Sequence, residues 1–156
     1  MADKRMAPLP AYNYIVDLGK GAQDPHKLLG GFSDVSGLET DIHISEYRDG
    51  NEKEPHVRKI AGSHKVGDVT LKRGVVDSSD LWKWITDTRK TGVLAQRDVV
   101  ITLLDEAGKP QQQWKLRNVY PMKYTGPQLA GKGGGEVAME ELVLSAEGYE
   151  IAPATS

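Results

Sequence analysis

Period-two alternation in several stretches, one stripe at helical spacing, and turn-forming residues between them predict a mainly β protein. The expected fold is two packed antiparallel β-sheets, as a sandwich or barrel, with one flanking α-helix. Ile42 and Ile44 alternate with Asp41, His43 and Ser45, and Val69 and Leu71 alternate with Thr70 and Lys72. Leu81, Trp84, Ile85 and Thr88 fall at i, i+3, i+4 and i+7, one face of a helix.

The elements follow in order. Tyr12 to Leu18 is rich in β-formers and reads as a first strand. Gly19 to Gly31 reads as a loop, with Asp24-Pro25 as its turn signal. Phe32 to Gly37 leads into a strand over Thr40 to Tyr47. Arg48 to Pro55 is a polar turn or extended loop; pairing resumes from Val57 to Ile60, and Asp68 to Arg73 is a further strand. The helix runs from Ser79 to about Lys90, capped by Ser78 or Ser79, with Asp80 at its positive end and Gly92 as its stop. Asp98 to Leu104 and Gln111 to Val119 form a hairpin around Asp105 to Pro110. Tyr120 to Tyr124 prolongs its second strand past Pro121, which predicts a bulge or bend. Gly126 to Gly135 holds five glycines and a proline and reads as a loop; the last strand is Glu136 to about Glu147.

At 156 residues the chain suits one domain. Residues 12–150 are expected to form it, between a flexible N-terminal segment (1–11) and a flexible C-terminal tail (151–156). A domain of this size buries roughly 70% of its unfolded surface, so it needs no disulfide or metal. With no cysteine, disulfide scaffolds, thiolate zinc sites and thiol catalysis are excluded. Twenty basic residues face twenty-two acidic ones, which is not the footprint of a duplex-DNA binder. The most strongly apolar run, Val99 to Ile101, is too short to span a bilayer, so no direct membrane anchoring is expected. Pro8 and Pro10 follow Lys4 and Arg5 where a signal peptide would place an apolar stretch, so assembly is expected in the cytoplasm.

Catalytic signals are poor. Gly126 to Lys132 matches the spacing of a phosphate-binding loop, but Gly133 stands where Ser or Thr would hold magnesium, and the glycines that follow forbid a helix. Asp41 and His43 share a strand face without a third ligand near in sequence. Glu140 and Glu141 are adjacent on a strand and point to opposite faces, so they are not a carboxylate pair. No cofactor or metal site is expected, and no enzyme. Trp82 lies off the apolar stripe and is either a surface indole or an anchor in a subunit interface. Asp41, His43, Ser45, Lys59, Lys72, Glu140 and Glu141 put polar content on strand faces. Simple solvent exposure or a water-filled lumen would each account for it.

Eight segments carry a resemblance. Gly31 to Glu39 (GFSDVSGLE) is similar to a signature of the phage T4-type tail tube family. Tyr47 to Glu52, Arg58 to Gly62, Val69 to Gly74, Asp80 to Ile85, Ile101 to Glu106, Trp114 to Pro121 and Glu140 to Leu144 continue the match in order, over about residues 10–150. The resemblance implies six-fold rings stacked into a rigid tube inside a contractile sheath, with strands of all subunits joined into a continuous inner barrel. Contraction drives such a tube through a target envelope to deliver DNA or protein cargo. The implied partners are the chain itself, the sheath protein, baseplate or tube-initiator proteins, and cargo in the lumen. On this sequence, Asp41, His43, Ser45, Thr70 and Lys72 are the candidates for the lumen face. Arg48, Asp49, Asn51, Glu52, Lys53, Glu54 and Trp82 are the candidates for ring–ring or subunit contacts. The glycine run from Gly131 to Gly135 departs from the family pattern. The alternatives are a baseplate-proximal paralogue, a secreted ring protein of a type VI-like system, or a monomeric β-barrel that binds a ligand.

Overall fold

The structure is a computed structural model that describes residues 7–19, 29–30, 32–48, 50, 57–75, 79–133 and 137–153. The elements are β1 (Tyr14–Asp17), β2 (Leu29–Gly30), β3 (Asp34–Ser36), β4 (Thr40–Tyr47), β5 (Arg58–Val66), β6 (Val69–Gly74), α1 (Ser79–Thr91), β7 (Arg97–Leu104), β8 (Pro110–Thr125), β9 (Met139–Ser145) and β10 (Gly148–Pro153). A single 3-10 turn over Gly92–Ala95 links α1 to β7. Every strand pairing is antiparallel.

Strand β8 joins two sheets. Its first part lies between β7 and β10, and its last part pairs with β9, which continues to β6 and β3. Alternate residues of the two sheets face each other. Val16, Val99, Ile101 and Leu116 of one meet Val69, Leu71, Leu142 and Leu144 of the other in one fully buried core. Leu81 and Trp84 of α1 complete it, while Ile85 and Thr88 stay half-buried, so the predicted stripe is the face that packs. The Trp84 indole N–H donates to the Ala95 carbonyl at 2.9 Å, which satisfies the one polar atom this residue brings inside. Gly92 stops the helix in the left-handed region at φ 59°.

The expected β7–β8 hairpin forms. Its turn closes with Asp105 N–H donating to the Lys109 carbonyl, and the Asp105 carboxylate accepts from the backbone of Ala107 and Lys109. Near Pro121 the register shifts between Pro121 and Lys123, the bulge that a proline without an N–H demands.

Three expectations need correction. The stretch from Gly19 to Gly31 is not all loop: Leu29–Gly30 pairs with β1, while 20–28 and 31 lie outside the described residues. Pairing in the strand after Val57 does not end at Ile60 but runs on to Val66. The final strand is not the one ending near Glu147, because β10 follows and pairs with β8 from Gly148↔Arg117 to Pro153↔Gln112. Residues 151–153, placed in a flexible tail, are therefore paired backbone. The turn at Ala146 and Glu147 is too short to announce a new strand: β9 and β10 follow β8 as one broken ribbon.

Candidate functional site

Strands β4 and β5 pair with each other and, among the described residues, with no other strand. Every residue of β4 is exposed, and so is every residue of β5 except half-buried Val66. Ile42 is 59% exposed, Ile60 53% and Ile44 47%. A two-stranded ribbon without a sheet beneath it is marginal in water. Among the described residues both edges of the arm are free and its isoleucines uncovered, a surface suited to pairing with another chain.

The arm is rooted in the core. Ser36↔Thr70 in β3–β6 and Thr40↔Val66 in β4–β5 belong to the same register, so β3–β4 and β5–β6 are the two legs of one long hairpin. Two glycines shape its root. Gly37 has φ 86°, and a Cβ there would lie 2.1 Å from the Asp68 carbonyl oxygen. A Cβ on Gly67 would lie 2.4 Å from Glu39 Cγ, and the Gly67 N–H donates to the Glu39 carbonyl at 2.9 Å.

The left-handed residue turns the chain over. Asp34 and Ser36 are exposed, yet Leu38 packs on the core. Beyond the root, Thr40, His64 and Val66 line a cleft of about 290 Å³ against Arg117, Glu147, Gly148 and Tyr149. These arm residues therefore face the body. By alternation Asp41, His43, Ser45 and Lys65 face the other way, to the side that Thr70 and Lys72 present in β6. The five residues expected on the lumen share one continuous face, although they lie on two different sheets. A bulge between Ile42 and Ile44 keeps the pairing across that face from being regular.

Of the expected contact residues, Arg48 is exposed just beyond β4, while Asp49, Asn51, Glu52, Lys53 and Glu54 lie outside the described residues. Trp82 is 54% exposed on α1, with the Arg89 guanidinium 5.3 Å from its ring centre. It borders a shallow hollow with Ser79, Ile85 and Tyr124.

The body side of the cleft is held at one corner. Asn118, at φ 53°, is the bulged residue at which β8 turns from one sheet to the other. Its N–H donates to Asp98 Oδ1 at 3.1 Å, and its side-chain amide donates to Glu147 at 3.0 Å. Arg117 donates to Glu150 at 2.7 Å. The Tyr149 hydroxyl donates to the Leu38 carbonyl at 3.3 Å, and burial pushes its pKa up, so it stays a donor at neutral pH.

This architecture has known counterparts. The family described as the T4-like virus tail tube protein gp19 matches residues 10–150. The chain belongs to that family. A chain in the cryo-EM structure of the anti-feeding prophage cap, the AFP tube-terminating cap, is 27% identical. The match covers 99% of this chain and 100% of that one, with a TM-score of 0.80. A chain in the sheath-tube complex of an extracellular contractile injection system, PVC, in the extended state is 26% identical. That match covers 96% and 94%, with a TM-score of 0.79. Hcp1 from Flavobacterium johnsoniae shares the fold at 12% identity and a TM-score of 0.51, over 92% of this chain and 97% of that one. No curated protein sequence matches.

The family is one of structural tail tube proteins. The near-match to a phosphate loop, Gly126 to Lys132, is an exposed connector between β8 and β9. Among the described residues, no three His, Asp or Glu side chains gather as metal ligands. Glu140, expected among the polar strand faces, is instead 2% exposed and points into the core. It accepts from Arg73 Nε and, at 2.7 Å, from the Tyr124 hydroxyl. Arg73 also lies 5.5 Å from the Phe32 ring centre. Alternation did hint at this, because Glu140 shares a strand parity with Leu142 and Leu144.

Proposed function

We propose that six copies of this tail tube protein close into a ring, and that rings stack into the inner tube of a contractile phage tail or phage-tail-like injection machine. The sheath surrounds the tube, the baseplate starts it, and contraction drives it through a target envelope with DNA or protein cargo in the lumen. Assembly takes place in the cytoplasm, and the finished tube leaves as part of a particle. The subunit acts by assembly and has no catalytic step. Asp41, His43, Ser45, Thr70 and Lys72 line the lumen, while Arg48 and the following residues, 49 and 51–54, contact the next ring.

One observation carries this reading: the β4–β5 arm, rooted in the core by Gly37 and Gly67, pairs with no other strand among the described residues and leaves every residue but Val66 exposed. Backbone pairing with a neighbour removes those edges, and a ring lets every copy do so. The sheath-tube and tube-cap structures, similar above 25% identity over nearly the whole chain, support a contractile tube over a secreted ring. The test is negative-stain electron microscopy of the purified protein at high concentration. Six-fold rings or hollow tubes are expected. Compact monomers under all salt conditions, even with baseplate proteins present, would overturn the reading.

A further inference from the structure

The face assigned above to the lumen has a charge pattern of its own. Asp41 stands directly opposite Lys65 in the β4–β5 register. Lys72 stands between two acids, opposite Asp34 of β3 on one side and Glu141 of β9 on the other. Glu141 and Lys123 point the same way as Lys72, because their neighbours Glu140, Leu142 and Tyr124 are turned to the core. On this stretch three carboxylates (Asp34, Asp41, Glu141) share the face with three ammonium groups (Lys65, Lys72, Lys123), Lys123 standing opposite Val143 and diagonal to Glu141. Residues directly opposite on a sheet have Cβ atoms roughly 5 Å apart, so opposite charges there cancel within one hydration shell.

We infer that the lumen wall is electrically self-compensated by these cross-strand pairs, and so does not select cargo by the sign of its charge. The inference rests on the tube reading above. A channel wall concentrates a field, because its low-dielectric sides focus field lines into the water between them. Repetition by six in a ring, and again in each stacked ring, would multiply any uncompensated charge. One lysine without an acid opposite or diagonal to it would make a polycation that holds acidic cargo, and one such aspartate would hold basic cargo. Opposed pairs leave a wall that is wet and without sticky apolar patches, yet gives neither sign a hold. The specificity-determining contacts are then the partners themselves, Asp34 and Glu141 for Lys72 and Asp41 for Lys65.

The absence of cysteine provides the experiment, since an introduced thiol is unique. Ser45→Cys and Thr70→Cys place it on the wall, and Lys132→Cys on the β8–β9 connector serves as the control. Each variant is assembled into tubes, and assembly is checked by microscopy. The thiols are then treated with anionic and cationic methanethiosulfonates of similar size at low ionic strength, where screening is weak. Bulky polyethylene-glycol maleimide tests enclosure. The expected result is that assembly protects both wall positions from the bulky reagent. The small reagents should keep the same anion-to-cation rate ratio, within about twofold, that they show on dissociated chains. Adding Lys72→Glu should swing the ratio towards the cation by tenfold or more in tubes, since each ring then gains many uncompensated charges. Protected thiols with a ratio already displaced tenfold in the parent tube would overturn the self-compensated wall and leave the lumen assignment standing. Wall thiols open to the bulky reagent in verified tubes would overturn both. An unmoved ratio after Lys72→Glu would remove Lys72 from the wall and overturn the pairing argument.

Discussion

Arg73 and Glu140 stand directly opposite each other in the β6–β9 register, and Arg73 Nε donates to the buried Glu140 carboxylate. The other carboxylate oxygen accepts from the Tyr124 hydroxyl. The triad ties β6, β9 and the end of β8 together on the core side of the sheet whose outer face carries Lys72. A buried charge is costly to leave unpaired, at about 3–5 kcal/mol when one partner is removed. Arg73→Ala should therefore cost about 3 kcal/mol, seen as a lower denaturation midpoint with an unchanged slope. Tyr124→Phe, which removes one hydrogen bond and keeps the ring, should cost about 1 kcal/mol. Equal losses from both variants would contradict an ion pair at the centre of the triad.

Much of this fold is legible in local chemistry. The helix stripe, its glycine stop, the Asp105 turn and the Pro121 bulge each depend on residues close in sequence. The strand missed at Gly148–Pro153 depends on none of these: it is set by pairing with β8, about 35 residues earlier in the chain. The residues expected on the lumen alternate with their neighbours along their own strands. Their common face depends on the turnover at Gly37, which needs its φ of 86° and not the residue type alone. Glu140 shows the opposite failure. Its charge reads as exposed, and only the strand parity it shares with Leu142 and Leu144 tells of burial.

Gly37 gives a prediction about the arm root. Alanine there would adopt φ 86° and bring its Cβ against the Asp68 carbonyl. The left-handed conformation alone costs about 1–2 kcal/mol, and the backbone contact forces the root to move as well. Gly37→Ala should lose about 2–3 kcal/mol of subunit stability and also stop tube growth, because the arm leaves at a new angle. Gly126→Ala meets nothing within 4 Å and should be near neutral in both assays. Normal tubes from Gly37→Ala, by microscopy, would show that the root does not set the arm.

Asp105 predicts a pH response confined to the hairpin turn. Foremost through the Lys109 N–H, and also through the Ala107 N–H and the Gln111 amide, its carboxyl is held below the ordinary aspartate range. A depressed folded value means that the turn's extra stability is present above the unfolded pKa, about 3.9, and is lost as pH falls through the folded value. The amide resonances of Ala107 and Lys109 should hold steady down to about pH 4 and move together below it. Asp105→Asn should abolish that movement. A midpoint at or above the ordinary range would contradict the hydrogen-bonded turn.

The two faces of the arm predict opposite tolerances. Ile42 and Ile44 lie on the side that turns towards the body, whereas Ile60, paired with Ser45, lies on the side proposed for the lumen wall. All three are about half exposed in the isolated chain, so replacing any of them should change subunit stability by no more than about 0.5 kcal/mol. Assembly should separate them. On the proposed assembly, a charge at Ile42 or Ile44 enters the surface that a neighbouring copy covers, where an unpaired buried charge costs several kcal/mol per subunit. Ile42→Asp and Ile44→Asp should leave folded chains that sediment without tubes. Ile60→Ser makes the wall more polar and should still assemble. Sedimentation and microscopy of the three variants check this directly. Tubes from both aspartate variants would mean that the apolar face of the arm is not the face a neighbour covers, while loss of tubes from Ile60→Ser alone would place the interface on the face assigned here to the lumen.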